Sequence, residues 1–285
     1  MTAVPAPVGA PAPTVRQFRH RAEVPMLVVG GIVTVIGVGV ILALLALRLD
    51  PGPELTAAAL TVLMMPILLL IVIRWRFWST MSDAVPVTPR QFPELHELYA
   101  TLGADMGFTG TGLNALPRLY VVNGNGDLNA AAAKCRVRRA YVQIYSDLVD
   151  IAYEHGDFAG VKFVLAHELG HVKCRHVDLW RILLSPITSI VLLHKSVIRA
   201  QEYTADRVAC YYAPEGAESM AAFYAGKRMY RHVDFDEYLD SIREHRSAFW
   251  IRIANFASDH AVGFRRMEAI GRTRTEGWDV HGRML

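Results

Sequence analysis

Two long apolar runs dominate the first third of the chain. Residues 26–47 form a run of 22 residues without a charge, and residues 56–73 form a second run of 18. A helix rises about 1.5 Å per residue, so about 20 apolar residues cross a hydrocarbon core of about 30 Å. The pattern therefore predicts two transmembrane helices within residues 24–78, joined by a short polar turn with two prolines.

Basic residues at the two ends of this hairpin predict its orientation. Arg16, Arg19 and Arg21 precede the first run, and Arg74 and Arg76 follow the second. Cytoplasmic loops of membrane proteins carry an excess of Lys and Arg. We therefore expect a multi-pass protein of the cell (inner or cytoplasmic) membrane, whose two hairpin ends and catalytic domain lie in the cytoplasm.

The pattern changes at residue 88 to that of a globular domain, expected over residues 88–285. Alternating apolar positions predict strands at 119–122 and 139–145, and apolar residues at helical spacing predict several helices. We expect a mainly α fold with a small β-sheet, of the α+β class. The Pro- and Ala-rich segment 1–23 is expected to be a disordered tail.

One further apolar segment, 180–194, is interrupted by Arg181 and Pro186. Its uncharged part is too short for a transmembrane span. We interpret it as a buried or membrane-touching helical hairpin, and a re-entrant membrane segment is the second interpretation.

Composition agrees with a membrane protein and argues against a nucleic-acid-binding protein and a disulfide-stabilised protein. Apolar residues make up 52% of the chain, and the net charge of +3 is spread along it, so we expect no nucleic-acid partner. The three cysteines, Cys135, Cys174 and Cys210, include no C-x-x-C pair. This count argues against a disulfide framework and fits a reducing compartment.

The candidate chemistry lies in residues 164–176, which contain His167-Glu168-x-x-His171. On a helix, the two histidines are one turn apart on the same face, so two neutral imidazoles can bind one Zn²⁺. Glu168 then lies beside the metal, where a general base is needed. Such a pattern also arises by chance, but the flanking residues are apolar, and buried histidines without partners are costly.

A second pair of residues supplies a candidate third ligand. Glu202 and Asp206 are four positions apart and share a helical face. With Glu202 as a ligand, the site becomes His₂Glu, and Asp206 can accept the second N–H of a ligand histidine, which we expect to be His167. The alternative is an ordinary pair of acids on a solvated helix.

Together these motifs resemble those of the M48 family of zinc peptidases, which includes the membrane heat-shock protease HtpX. The resemblance rests on His167-Glu-Leu-Gly-His171 followed by Glu202-x-x-Ala-Asp206. The run that ends at His176 and the Leu-Asn-Ala stretch at 128–130 are also similar to the family. The resemblance covers about residues 90–272.

The resemblance implies a gluzincin-type peptidase domain with one Zn²⁺ per chain, held by His167, His171 and Glu202, and a polypeptide substrate. It also implies that His260 donates to the transition-state oxyanion, although Ala261 stands where the family usually has proline. In HtpX-type members, a longer insertion with two membrane spans separates the second histidine from the third ligand. Here that interval is 31 positions.

Peptidases with this motif commonly bind extended substrates along an edge strand beside the active helix. Residues 141–146 are our candidate for that edge, and the alternative is an ordinary core strand. The sequence thus predicts a membrane-anchored zinc endopeptidase. Two alternatives remain: a zinc-containing membrane scaffold without proteolytic activity, and a metallohydrolase that acts on a lipid or small amide.

Overall fold

The computed structural model describes residues 12–47, 52–108, 110–136, 139–190, 193–245, 249–250, 253 and 263–284. Most described residues are helical, and one four-stranded sheet is present among them. The helices are α1 (Val15–Phe18), α2 (Glu23–Ala46), α3 (Pro53–Ser82), α4 (Pro93–Asp105), α5 (Ser146–His155), α6 (Phe158–Lys173), α7 (Ser185–Ile190), α8 (Leu193–Tyr212), α9 (Ala222–Met229), α10 (Phe235–His245) and α11 (Gly263–Glu276). The strands are β1 (Val85–Pro86), β2 (Arg118–Val122), β3 (Ala130–Arg136) and β4 (Arg139–Tyr145). The predicted fold class is confirmed.

Helices α2 and α3 are both long and apolar enough to cross a membrane. Only 11% of the most apolar part of α2 is buried, and none of that of α3. A core helix of similar hydropathy would be buried in protein, so these two helices expose an apolar surface that fits lipid. Helix α3 continues past the predicted end at residue 73 and includes Pro66.

The sheet has the strand order β1-β2-β4-β3. Strand β4 pairs in parallel with β2 and antiparallel with β3. The expectation that residues 141–146 form the edge is therefore wrong, because β4 lies between two partners and Val142 and Ile144 are fully buried. The edge strand next to β4 is β3, whose alanine-rich sequence carries little strand signal.

Helix α6 runs through the core and carries the histidine motif. Its N-cap is Asp157, whose carboxylate accepts the Gly160 N–H at 2.9 Å, as the preference for Asp at this position predicts. Phe163, Leu165 and Leu169 of α6 are fully buried. The motif is therefore held on a rigid central element.

Helix α8 packs closely against α6 at the glycine of the motif. A Cβ atom on Gly170 would lie 3.1 Å from Cβ of Val208 and 3.4 Å from Cα of Ala205. The missing side chain thus permits the two helix backbones to approach. This contact brings the middle of α8, with its acidic pair, over the histidine face of α6.

The N-terminal segment is partly ordered, so the predicted disordered tail over 1–23 is wrong for residues 14–22. Phe18 of α1 is fully buried and packs against Tyr211 and Trp278. Its partners lie 193 and 260 positions away in sequence, which is why local composition did not indicate the packing. Residues 1–11 lie outside the described part.

The segment 180–194 forms a 3₁₀ turn, the short helix α7 and the start of α8. Helix α7 packs against glycines of α2: a Cβ on Gly30 would lie 3.1 Å from Thr188, and one on Gly37 would lie 3.1 Å from Ile187. Gly37 is 14 positions beyond Glu23, or about 21 Å along the helix. The segment therefore runs beside the first apolar helix well away from its N-terminal end.

Candidate metal centre

Three potential metal ligands converge where α6 meets α8. The two Nε2 atoms of His167 and His171 are 3.1 Å apart. The Glu202 carboxylate lies 3.6 Å from Nε2 of His167 and 3.4 Å from Nε2 of His171. One donor atom from each residue falls within 4.8 Å of the other two.

This donor set fits a divalent zinc ion. Donors of a tetrahedral zinc with bonds of 2.0–2.1 Å are about 3.3 Å apart, which agrees with the spacing here. His167 and Glu202 are buried. Burial opposes protonation of His167, but the carboxylates of Asp206 and Glu202 raise its pKa to about 10. The surroundings thus favour a cation at this position, whether a proton or a metal.

The other ring nitrogen of His167 contacts Asp206. Nδ1 of His167 lies 2.9 Å from Oδ1 of Asp206. Arg266 donates to both oxygens of this carboxylate, from Nε to Oδ2 at 2.9 Å and from Nη2 to Oδ1 at 2.6 Å. Arg266 also lies 3.2 Å from Glu202. Burial opposes ionisation of Asp206, but Arg266 and His167 lower its pKa, so it is an acceptor for the His167 N–H.

The second ring nitrogen of His171 contacts another histidine. Nδ1 of His171 lies 3.0 Å from Nδ1 of His176, which follows the C-terminal end of α6. Both ligand histidines thus have a partner on Nδ1, and their Nε2 atoms face each other and Glu202.

Glu168 lines the same cavity, of about 290 Å³. Within the described part of the chain, no hydrogen bond to another residue engages its carboxylate. The cavity is lined by side chains or backbone of Asn129, Ala130, Ala131, Ala132, Val164, His167, Glu168, His171, His176, Val177, Gln201, Glu202, Met220, Phe223 and Arg266. Glu168 is therefore positioned to accept a proton from a molecule bound there.

Edge strand β3 forms one wall of this cavity. The Tyr145 N–H donates to the Asn129 carbonyl at 2.9 Å, and the register continues with Ala130 opposite Ile144. Because antiparallel pairs alternate in their bonding, the backbone N–H and C=O of Ala130 and Ala132 point away from β4. These groups face the open edge.

A second cavity, of about 680 Å³, adjoins the first. The two share Ala132, His176 and Val177. The second cavity lies between α3 and the segment 177–194, and most of its lining is apolar. A buried ion pair of Lys134 with Asp178 joins the end of β3 to this segment. The two cavities are therefore adjacent, one beside the histidines and the other beside the second apolar helix.

His260, the predicted oxyanion donor, lies outside the described residues. Of the two adjacent arginines that follow it in sequence, Arg266 lines the cavity and Arg265 does not. Two contributors were not assigned a role from sequence: His176, whose only signal was its place in the run after the motif, and Arg266.

Two imidazoles and a glutamate on one helix, facing a glutamate on a second, form the donor arrangement of a metallopeptidase centre. Residues 89–187 match the model of peptidase family M48. The match confirms the predicted resemblance to this family over these residues and supports membership. The match ends before Glu202, so that residue is associated with the histidines by geometry. No curated protein and no solved structure gave a significant match.

Proposed function

We propose that the protein is a membrane-anchored zinc endopeptidase. The observation that carries this proposal is the convergence of His167, His171 and Glu202 beside Glu168 in one cavity. His167, His171 and Glu202 would hold one Zn²⁺, which when bound would polarise the scissile carbonyl and lower the pKa of the attacking water. Family membership implies a metallopeptidase and supports this assignment.

The catalytic base is Glu168. Its carboxylate takes a proton from the attacking water and later delivers that proton to the leaving amine. Asp206 holds His167 in the tautomer whose Nε2 is free to bind metal. Arg266 is a permanent cation at the cavity wall and limits repulsion between Glu202 and Asp206.

A polypeptide substrate binds in extended form along β3. The outward backbone groups of Ala130 and Ala132 pair with the substrate backbone, as in other cases of strand addition. Residues 130–133 of this strand are all alanine, so the substrate can approach closely. Backbone pairing is largely independent of substrate sequence, which suits an endopeptidase of broad specificity.

The anchor consists of α2 and α3, and both ends of this hairpin lie in the cytoplasm. The flanking arginines support this orientation, and the exposed apolar surfaces of both helices support insertion. Helix α7 enters the membrane beside α2, because its contacts with Gly30 and Gly37 extend along the apolar helix. Leu183 and Ile190 are 61% and 68% exposed, which fits contact with lipid.

The substrates include membrane proteins, and the role is in their quality control. The apolar cavity between α3 and residues 177–194 supports this proposal, because it lies beside a membrane helix and adjoins the catalytic cavity. An apolar segment that leaves the bilayer can bind there without full exposure to water.

The test compares the detergent-solubilised protein with Glu168→Gln. Each is assayed for bound zinc and for cleavage of casein, an unfolded substrate. We expect equal zinc, and a loss of cleavage of about 10²- to 10⁴-fold in the variant, since that is the usual contribution of a general base. Cleavage by Glu168→Gln at the parent rate would contradict the mechanism. Zinc without cleavage in either protein would favour a scaffold or a non-peptide substrate.

A further inference from the structure

We propose that Glu23, at the start of the first membrane helix, positions the metal ligand His171 through His176. The inference rests on the proposed zinc site and adds an outer shell that reaches into the membrane anchor. Both Glu23 and His176 are positioning residues, because neither contacts the metal-binding atoms directly.

The three side chains form one hydrogen-bonded chain. Nδ1 of His171 is 3.0 Å from Nδ1 of His176, and Nε2 of His176 is 3.1 Å from Oε1 of Glu23. The side chain of Glu23 is fully buried, and that of His176 is 2% exposed. The contacts are therefore shielded from water, and each group depends on its protein partners.

The Glu23 carboxylate fixes the direction of proton donation along these hydrogen bonds. The carboxylate of Glu23 accepts hydrogen bonds from Arg19 and, at 2.7 Å, from the Thr204 hydroxyl. Since an ionised carboxylate only accepts, Nε2 of His176 must donate to it. A neutral His176 then has an acceptor on Nδ1, and His171 must donate its Nδ1 proton. Nε2 of His171 is left with a free lone pair, as a zinc ligand requires.

The contacts themselves require a neutral His176. Two Nδ1 atoms that are 3.0 Å apart must be one donor and one acceptor. If His171 binds metal through Nε2, its proton is on Nδ1, so Nδ1 of His176 is the acceptor. The single proton of His176 is then on Nε2, which faces Glu23.

The end of α6 explains why His176 reaches His171. Arg175 has φ 60°, the left-handed conformation common just beyond a helix. The N–H of His176 then donates to the carbonyl of His171 at 2.8 Å, and the N–H of Arg175 donates to the carbonyl of Val172 at 3.0 Å. This is the Schellman motif, in which the corresponding side chains usually make an apolar contact. Here two imidazoles replace that contact.

Neighbouring arginines offset the free-energy cost of burying the Glu23 charge. Arg19 forms an ion pair with it, and Arg181 lies 3.8 Å away. Arg19 also donates to the Cys174 carbonyl at 2.8 Å. The acidic residue is thus held between the membrane helix, the end of α6 and α8. A shift of α2 relative to these helices would move the acceptor that orients His171, so the anchor contributes to the metal site itself.

The test measures zinc affinity of full-length, detergent-solubilised variants by competition with a chelator. His176→Leu removes the acceptor for His171 and should weaken zinc binding about 10- to 100-fold, the usual effect of losing such a partner. His176→Asn retains an oxygen in place of Nδ1 and should stay within about threefold of the parent. Glu23→Gln keeps an acceptor without charge and should lose roughly three- to tenfold. Thr34→Val is the matched control, since Thr34 is buried on α2 and bonds only within that helix.

The double variant separates positioning from general stability. If Glu23 acts through His176, then adding Glu23→Gln to His176→Leu should cause no further loss of zinc affinity. The absorption of Co²⁺ in place of zinc should also change in His176→Leu and be restored in His176→Asn.

Parent-like affinity of His176→Leu, equal losses in His176→Leu and His176→Asn, or additive losses in the double variant would overturn the proposal. Failure of the parent to bind zinc would instead refute the metal site on which the proposal depends. Thermal unfolding without metal identifies any variant whose loss of zinc affinity reflects misfolding. If His176→Leu misfolds, the zinc affinity of His176→Asn decides whether His176 positions His171.

Discussion

Asp206 lies 2.9 Å from Nδ1 of His167 and also binds Arg266 through two hydrogen bonds. One carboxylate therefore orients an imidazole and neutralises a guanidinium. Both partners reach it from other helices: His167 lies on α6 and Arg266 on α11. This relationship makes Asp206 a link among the three helices that form the centre.

Replacing Asp206 by Asn should weaken zinc binding by about 10- to 100-fold. The amide lacks the charge that favours the Nδ1–H tautomer of His167, and it leaves Arg266 without its ionic partner. Chelator competition measures the effect. The control is Asp279→Asn, which removes the acidic partner of Arg207, the residue that follows Asp206 on α8. Equal zinc affinity of Asp206→Asn and the parent would show that Asp206 does not act on the ligand.

A proline at residue 132 should impair substrate binding and leave the metal intact. The N–H of Ala132 points to the open edge, where edge strands tolerate proline. Loss of one backbone hydrogen bond to the substrate should lower kcat/KM for casein by about three- to tenfold. Zinc content should be unchanged. Ala131→Pro is the contrasting variant, because its N–H points toward β4 and its loss should lower the unfolding temperature. Parent-like kcat/KM in Ala132→Pro would argue against substrate pairing with β3.

The C-terminal segment should make stability depend on pH. Both ring nitrogens of His281 lie 2.7 Å from Nη1 of Arg207, and burial followed by the Arg207 charge lowers the pKa of His281 to about 4. In the unfolded chain this pKa is about 6.5. Between pH 6.5 and 4 the unfolded chain thus binds more protons, and this contribution to stability is lost as the pH falls.

The variant His281→Gln isolates this contribution, because glutamine can accept from Arg207 and does not titrate. The free energy of unfolding of the parent should fall by roughly 1 kcal/mol more than that of the variant between pH 7 and 5, after allowance for solvent screening. Thermal or denaturant unfolding at several pH values provides the measurement. Identical pH dependence in the two proteins would show that His281 is not held neutral by the fold.

The sequence was most informative where the signal is local. The spacing of His167 and His171, and that of Glu202 and Asp206, needs only a helix to place each pair on one face. The approach of the two helices depends on Gly170 and Val208, which are far apart in sequence. The association of Glu202 with the two histidines was therefore predicted from the resemblance to a family.

Other features depend on long-range packing and had no local signal. Glu23 has the appearance of a polar residue flanking a membrane span, and its partners His176 and Thr204 are more than 150 positions away. Strand β3 is rich in alanine, so its edge position could not be inferred from propensity. The order of the segment around Phe18 could not be predicted either, because its partners Tyr211 and Trp278 are distant in sequence.

The central claim is that His167, His171 and Glu202 together bind one zinc ion. X-ray absorption at the zinc edge, with metal content measured on the same samples, tests it most directly. The parent should contain one zinc per chain with two imidazole nitrogens and only nitrogen or oxygen donors at about 2.0–2.2 Å, and Glu202→Ala should lose most of the metal. A sulfur donor at about 2.3 Å, or full zinc content in Glu202→Ala with unchanged ligands, would contradict the account.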